Sequence, residues 1–152
     1  MAVMIGLAFP VVGYGQSAGY LDADSLGEAA GMMYSTKMGN RIFKARCIEK
    51  FPDMAQQIEA DLVAWQNTEA DAIRKADAYY ELYRTQNPKA SAEMASVLEM
   101  AFKKNIDGMA ELPGEAGTAL FRQVCEKHFS ALASGAWRER TPNAYKYLDE
   151  AP

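Results

Sequence analysis

The residues able to do chemistry in this chain form a short roster. Cys125 and His128 stand at i and i+3 in "CEKHF", a spacing that puts both side chains on one face of a helix. The only other thiol is Cys47, in "RCIEKFPD", and there is no second histidine. A structural zinc site takes four Cys or His donors, and these three residues are all the sequence offers. Mechanisms that need two histidines are excluded, as are di-iron bundles built on two Glu-x-x-His motifs. The cysteines show neither CxxC nor c-type haem spacing. Cys125 and His128 as a nucleophile and base are disfavoured, because both belong to one helix and the thiol is expected to be bonded.

Two other groupings could carry function. His128 on a last helix and a methionine on a first helix, Met33 or its neighbours Met32 and Met38, could ligate haem as in four-helix cytochromes. With nine methionines in the chain, the ordinary reading of each is core filler. That of His128 is a core-edge histidine bonded to a neighbour. Acidic pairs occur in 53–84, Asp61 with Glu69 and Asp77 with Glu81, and read as a solvated helix face. Neither GxSxG nor a phosphate-binding glycine loop occurs. No metal or cofactor is expected, and the chain reads as non-catalytic.

Charge is distributed unevenly. Lys37, Arg41 and Lys44 recur at i, i+4 and i+7, and segment 37–50 sums to +4 while 53–84 sums to −4. Pairing between adjacent helices is the simple expectation. The alternative is a basic strip for an anionic surface such as lipid head groups. The net charge is −4, so no nucleic-acid partner is expected, since phosphate binding needs a basic face. Tyrosine is frequent, with eight residues, and suits core edges or an interface.

The elements that must position these residues are helical. The chain has 152 residues, 49% of them hydrophobic, enough for one domain with a real core. Ser25 and Glu28 have capping-box spacing and open a helix toward Lys50, with Gly39-Asn40 as an expected interruption. Phe51-Pro52 ends it, because proline lacks an amide donor. A second helix, 53–85, has Ile58, Leu62, Trp65, Ala72, Ala76, Tyr79 and Tyr83 as its stripe. Gln57, Glu59, Asp61, Glu69, Asp71 and Arg74 are assigned to its polar face. Asn87-Pro88 opens a third helix with Met94, Leu98, Ala101, Phe102, Met109 and Leu112 inward. "LPGEAG" breaks the chain. A fourth helix, 115–134, buries Phe121, Val124, Cys125, His128 and Leu132, and Gly135 closes it. Thr141-Pro142 starts a short C-terminal helix with Tyr145 and Leu148. The expected fold is all-α, an up-and-down four-helix bundle with one disulfide and a short C-terminal helix.

Residues 1–18 read as a signal peptide, or alternatively an apolar N-terminal segment, ahead of a single helical domain spanning 19–152. Positions 2–15 are uncharged and mostly apolar, and Gly13 and Gly15 fit cleavage before Gln16. No Lys or Arg precedes the run, the one departure from a signal. Export to the periplasm or outside the cell would favour a Cys47–Cys125 disulfide; two buried free thiols are the cytosolic alternative.

The stretch "CIEKFPDMAQQIEADLVAWQ" resembles small exported helical proteins of Gram-negative bacteria that have no assigned activity. The likeness lies in a Cys, then Phe-Pro, then a helix with Trp65 after Pro52, and covers about 40 residues. It implies a signal peptide, a helical fold and a periplasmic or secreted setting, and it brings no catalytic residues. The function expected is binding of a protein partner or an envelope component, of inhibitor or immunity type, through an aromatic-rich patch. The alternative is a haem or metal carrier using His128.

Overall fold

The computed structural model describes residues 22–152. The expected signal segment and its cleavage point lie outside them. The described residues form seven α-helices and one 3-10 turn, with no strand. The helices are α1 (Leu26–Lys50), α2 (Ala55–Thr68), α3 (Ala70–Gln86), α4 (Pro88–Ala110), α5 (Gly114–Ala133), α6 (Ala136–Arg140) and α7 (Pro142–Glu150).

Side-chain registers fix the direction of each arm. Tyr34 stacks on Tyr80 and Lys37 meets Asp77, so α3 runs antiparallel to α1. Arg41 meets Glu99 and Arg46 meets Asp107, so α4 runs parallel to α1. Asn40 meets His128 and Cys47 meets Cys125, so α5 runs antiparallel again. The arms α1, α2–α3, α4 and α5 therefore go up, down, up and down. Helix α1 touches α3, α4, α5 and α7. It is surrounded, which is why its apolar residues form no single stripe.

The expected interruption at Gly39-Asn40 is absent, and α1 is continuous. Gly39 serves packing instead. A Cβ there would stand 3.1 Å from the Phe102 ring, so its absence lets α4 approach. The N-terminus of α1 is capped as expected, the Ser25 hydroxyl accepting from the Glu28 amide at 3.2 Å. The Glu28 carboxylate accepts from the Asp24 amide, one residue earlier than a capping box has it.

The corner at Phe51-Pro52 forms as the proline requires. The Phe51 amide makes the last α1-type bond, to the Cys47 carbonyl, and Pro52 opens the 3-10 turn Pro52–Met54. Phe51 and Met54 are buried, so the corner is part of the core.

The second arm is not one helix. Glu69 is a single non-helical residue between α2 and α3. Lys44 pairs with Glu59 and Lys37 with Asp77. The lysines are seven residues apart and their partners eighteen, about 10 Å against about 27 Å of helix rise. A straight rod beside α1 cannot meet both. The arm bends at Glu69, α2 packing chiefly on α5 and α3 on α1.

The inward face of α4 also differs from expectation. Ser91, Phe102, Ile106 and Ala110 are buried, while Met94 and Leu112 are exposed. The C-terminal segment makes two helices. Gly135, with φ +80°, turns the chain between α5 and α6, and α7 lays Ala144, Tyr145 and Leu148 into the core. The start of α7 is capped from far away. The Asp22 carboxylate accepts from the Asn143 and Ala144 amides at 2.7 and 2.9 Å.

Candidate functional site

Cys47, in the last turns of α1, and Cys125, midway along α5, are joined in a disulfide with Cα atoms 6.0 Å apart. Both are fully buried, and each lies one helical turn after a buried phenylalanine, Phe43 and Phe121, whose rings meet edge-on. The pair is thus a tie between first and last long helices, with no exposed sulfur for exchange.

His128 lies one turn along α5. Its Nε2–H donates to the Asn40 Oδ1 of α1 at 2.7 Å. The ring packs edge-on to Phe43 and Phe129, with Trp137 beyond. Desolvation, aided by the Arg140 charge, pushes its pKa down to about 4. Met33 is buried on α1, seven residues before Asn40 and so about 10 Å along the axis. His128 is thus held against Asn40, a residue the sequence reading treated as a helix interruption. Among the described residues no cluster of three or more His, Cys, Asp or Glu is arranged for a metal.

The basic strip is occupied from within. Lys37 bonds Asp77 of α3 at 2.6 Å, Lys44 bonds Glu59 of α2 at 2.7 Å, and Arg41 reaches Glu99 of α4 at 4.0 Å. Two of the three pair with the second arm, as charge patterning suggests; Arg41 turns to the third. Arg46 continues the series with Glu49, Asp107 and Glu111.

The acidic pairs do not act as pairs. Asp61 accepts from Gln57, Asp77 holds Lys37, and Glu81 holds Arg84. Glu69 is the correction that matters. Assigned to a solvated face, it is 2% exposed. Arg138 of α6 grips it, Nη2 donating to Oε2 at 2.7 Å and Nε to Oε1 at 3.4 Å. Arg138 also pairs with Asp149 and lies 4.3 Å from the Tyr145 ring centroid. Its pKa is raised, first by the bond to Glu69. Burial pushes the Tyr145 hydroxyl up to about 12. Lys75 of α3 completes the cluster by donating to the Asp149 carbonyl. The signal in the sequence was positional, since 58, 62, 65, 69, 72 and 76 form one unbroken helical series. The cluster fastens α6 and α7 to the elbow between α2 and α3, which makes it a structural latch.

The feature with the character of a recognition site is the outer face of α4. Met94, Val97 and Met100 are 37%, 54% and 61% exposed. Their spacing of three places them within an arc of about 120°. The opposite side of the helix is held to the core by Phe102 and Ile106. The tyrosines gather elsewhere, Tyr34 stacking on Tyr80 with Tyr83 beside it, all three half-buried. Among the described residues, Tyr79 is the one aromatic among the large exposed apolar side chains. Sequence reading missed Val97 and Met100; their signal was three apolar residues lying off the buried stripe.

No family model matches the chain, and no curated protein or solved structure shows significant similarity to it.

Proposed function

We propose that the chain is an exported, non-catalytic protein-binding domain whose contact surface is the outer face of α4. The observation that carries this reading is the exposed set Met94, Val97 and Met100 on one side of a core-anchored helix. Apolar residues exposed singly are ordinary, whereas three on successive turns form a continuous patch of the sort that marks an interaction surface. The charge arrangement favours a protein over an anionic surface. Lipid head groups would first have to displace Asp77, Glu99 and Glu59 from Lys37, Arg41 and Lys44. The buried disulfide supports export, because thiols in a reducing cytosol stay reduced.

The test is a photo-crosslinking residue placed at Val97 in cells, with exposed Gln66 on α2 as the control position. Adducts to any protein at Val97 and none at Gln66 are expected. No adduct at Val97 overturns the binding reading. Intact mass of envelope-derived protein, alkylated with and without reductant, checks export separately. Full-length chain with two free thiols would defeat it.

A further inference from the structure

We propose that the occupant of the α4 face is a second copy of the same chain, paired antiparallel about a two-fold axis crossing α4 between Leu98 and Glu99. The proposal rests on the protein-binding reading above and names its partner. Along the outer face run, in order, Glu93, Met94, Val97, Met100 and Lys104. An acid stands at one end, a base at the other, and the apolar set lies between. Glu93 and Lys104 are eleven residues apart, close to three helical turns, so they share a side to within about 20°. A two-fold axis midway between them exchanges their positions. Each Glu93 then faces Lys104 of the other copy, and each Val97 faces Met100 of the other copy. Such an interface is isologous and closes on itself. Parallel pairing would instead set Glu93 against Glu93, a like-charge contact.

Both charges are largely free for this use. Glu93 has only a 4.0 Å contact with Lys89 on the exposed helix surface. Lys104 makes no ion pair among the described residues, whereas its neighbour Lys103 is engaged with Glu99 at 2.9 Å. An acid with only a long contact inside its own helix, an apolar centre and a base without an ion pair, arranged symmetrically, are what a self-complementary helix face requires.

The test is sedimentation equilibrium of the purified, oxidised full chain over a range of concentration. Mass should double with concentration. Glu93→Lys or Lys104→Glu should each weaken dimerisation about tenfold, since both symmetric pairs turn repulsive. The double variant E93K/K104E should return to the wild-type constant. Val97→Glu should leave a monomer. All three sites are exposed, and circular dichroism confirms that the fold is kept. Wild-type protein that stays monomeric to millimolar concentration overturns the proposal. So does a double variant that fails to recover, which would mean another orientation. If the wild type is monomeric while Val97 crosslinks to a different protein, this inference falls and the protein-binding reading stands.

Discussion

Glu69 is a carboxylate at a position the helical period reserves for an apolar side chain. It is tolerated because Arg138 supplies the counter-charge and two donors. Removing one partner of such a pair is costlier than removing both. Arg138→Met is expected to cost about 2–3 kcal/mol, less than a fully buried pair because the arginine is partly exposed. Glu69→Leu combined with Arg138→Met should recover most of that loss in urea unfolding midpoints. His128 makes a second residue-scale prediction. In the unfolded chain its pKa returns to about 6.5, against about 4 in the fold. Between those values the unfolded state holds more protons, so stability is full above pH 6.5 and falls toward pH 4. Below pH 4 this contribution changes no further. The wild type should lose on the order of 3 kcal/mol across the window, and His128→Gln should lose much less. Equal slopes for the two proteins would show that another group is responsible.

Helix α7 depends on an acid outside itself. Burial raises the pKa of Asp22, but its amide bonds to Asn143, Ala144 and Ala23 outweigh this and lower it overall. Asp22→Ala should cost about 1 kcal/mol, as for an ordinary N-cap, with faster amide exchange at Asn143 and Ala144. Being lowered in the fold, this carboxyl stabilises above its unfolded pKa, and the benefit is lost as pH falls through the folded value. The elements differ in how plainly the sequence announces them. Pro52, Pro88, Gly135 and Pro142 mark boundaries because backbone chemistry at those residues is local. The break at Glu69 has no proline or glycine beside it. Glu69 is held instead by a partner 69 positions away, and no local signal reports that. Gly39 misleads for the opposite reason, since it marks close helix packing rather than a helix end. Met94 was assigned inward because it fits a period of four with Leu98. Which side of α4 is covered is decided by α1, a non-local fact.

At the scale of the molecule the frame is α1 held on several sides and tied to α5. The disulfide spans 78 positions. Chain-entropy reasoning gives it up to about 4 kcal/mol. Cys47→Ala with Cys125→Ala should therefore lower the thermal midpoint markedly while leaving a helical spectrum, and an unchanged midpoint would contradict the tie. Class and the up-and-down order were within reach of the sequence, because period and breakers suffice for them; two thiols leave one possible pairing, but whether it forms depends on the compartment. The outer face of α4 was not, because exposure is a property of the assembled bundle. The tie also has a mechanical consequence. When the two termini are pulled, force passes along α1, across the sulfur bridge and into α5. Helices α2, α3 and α4 lie in a covalent loop off the line of load. An oxidised molecule held in optical tweezers should stretch only through the residues outside positions 47–125. Reductant should then release roughly 280 Å more, at about 3.6 Å for each residue of the loop.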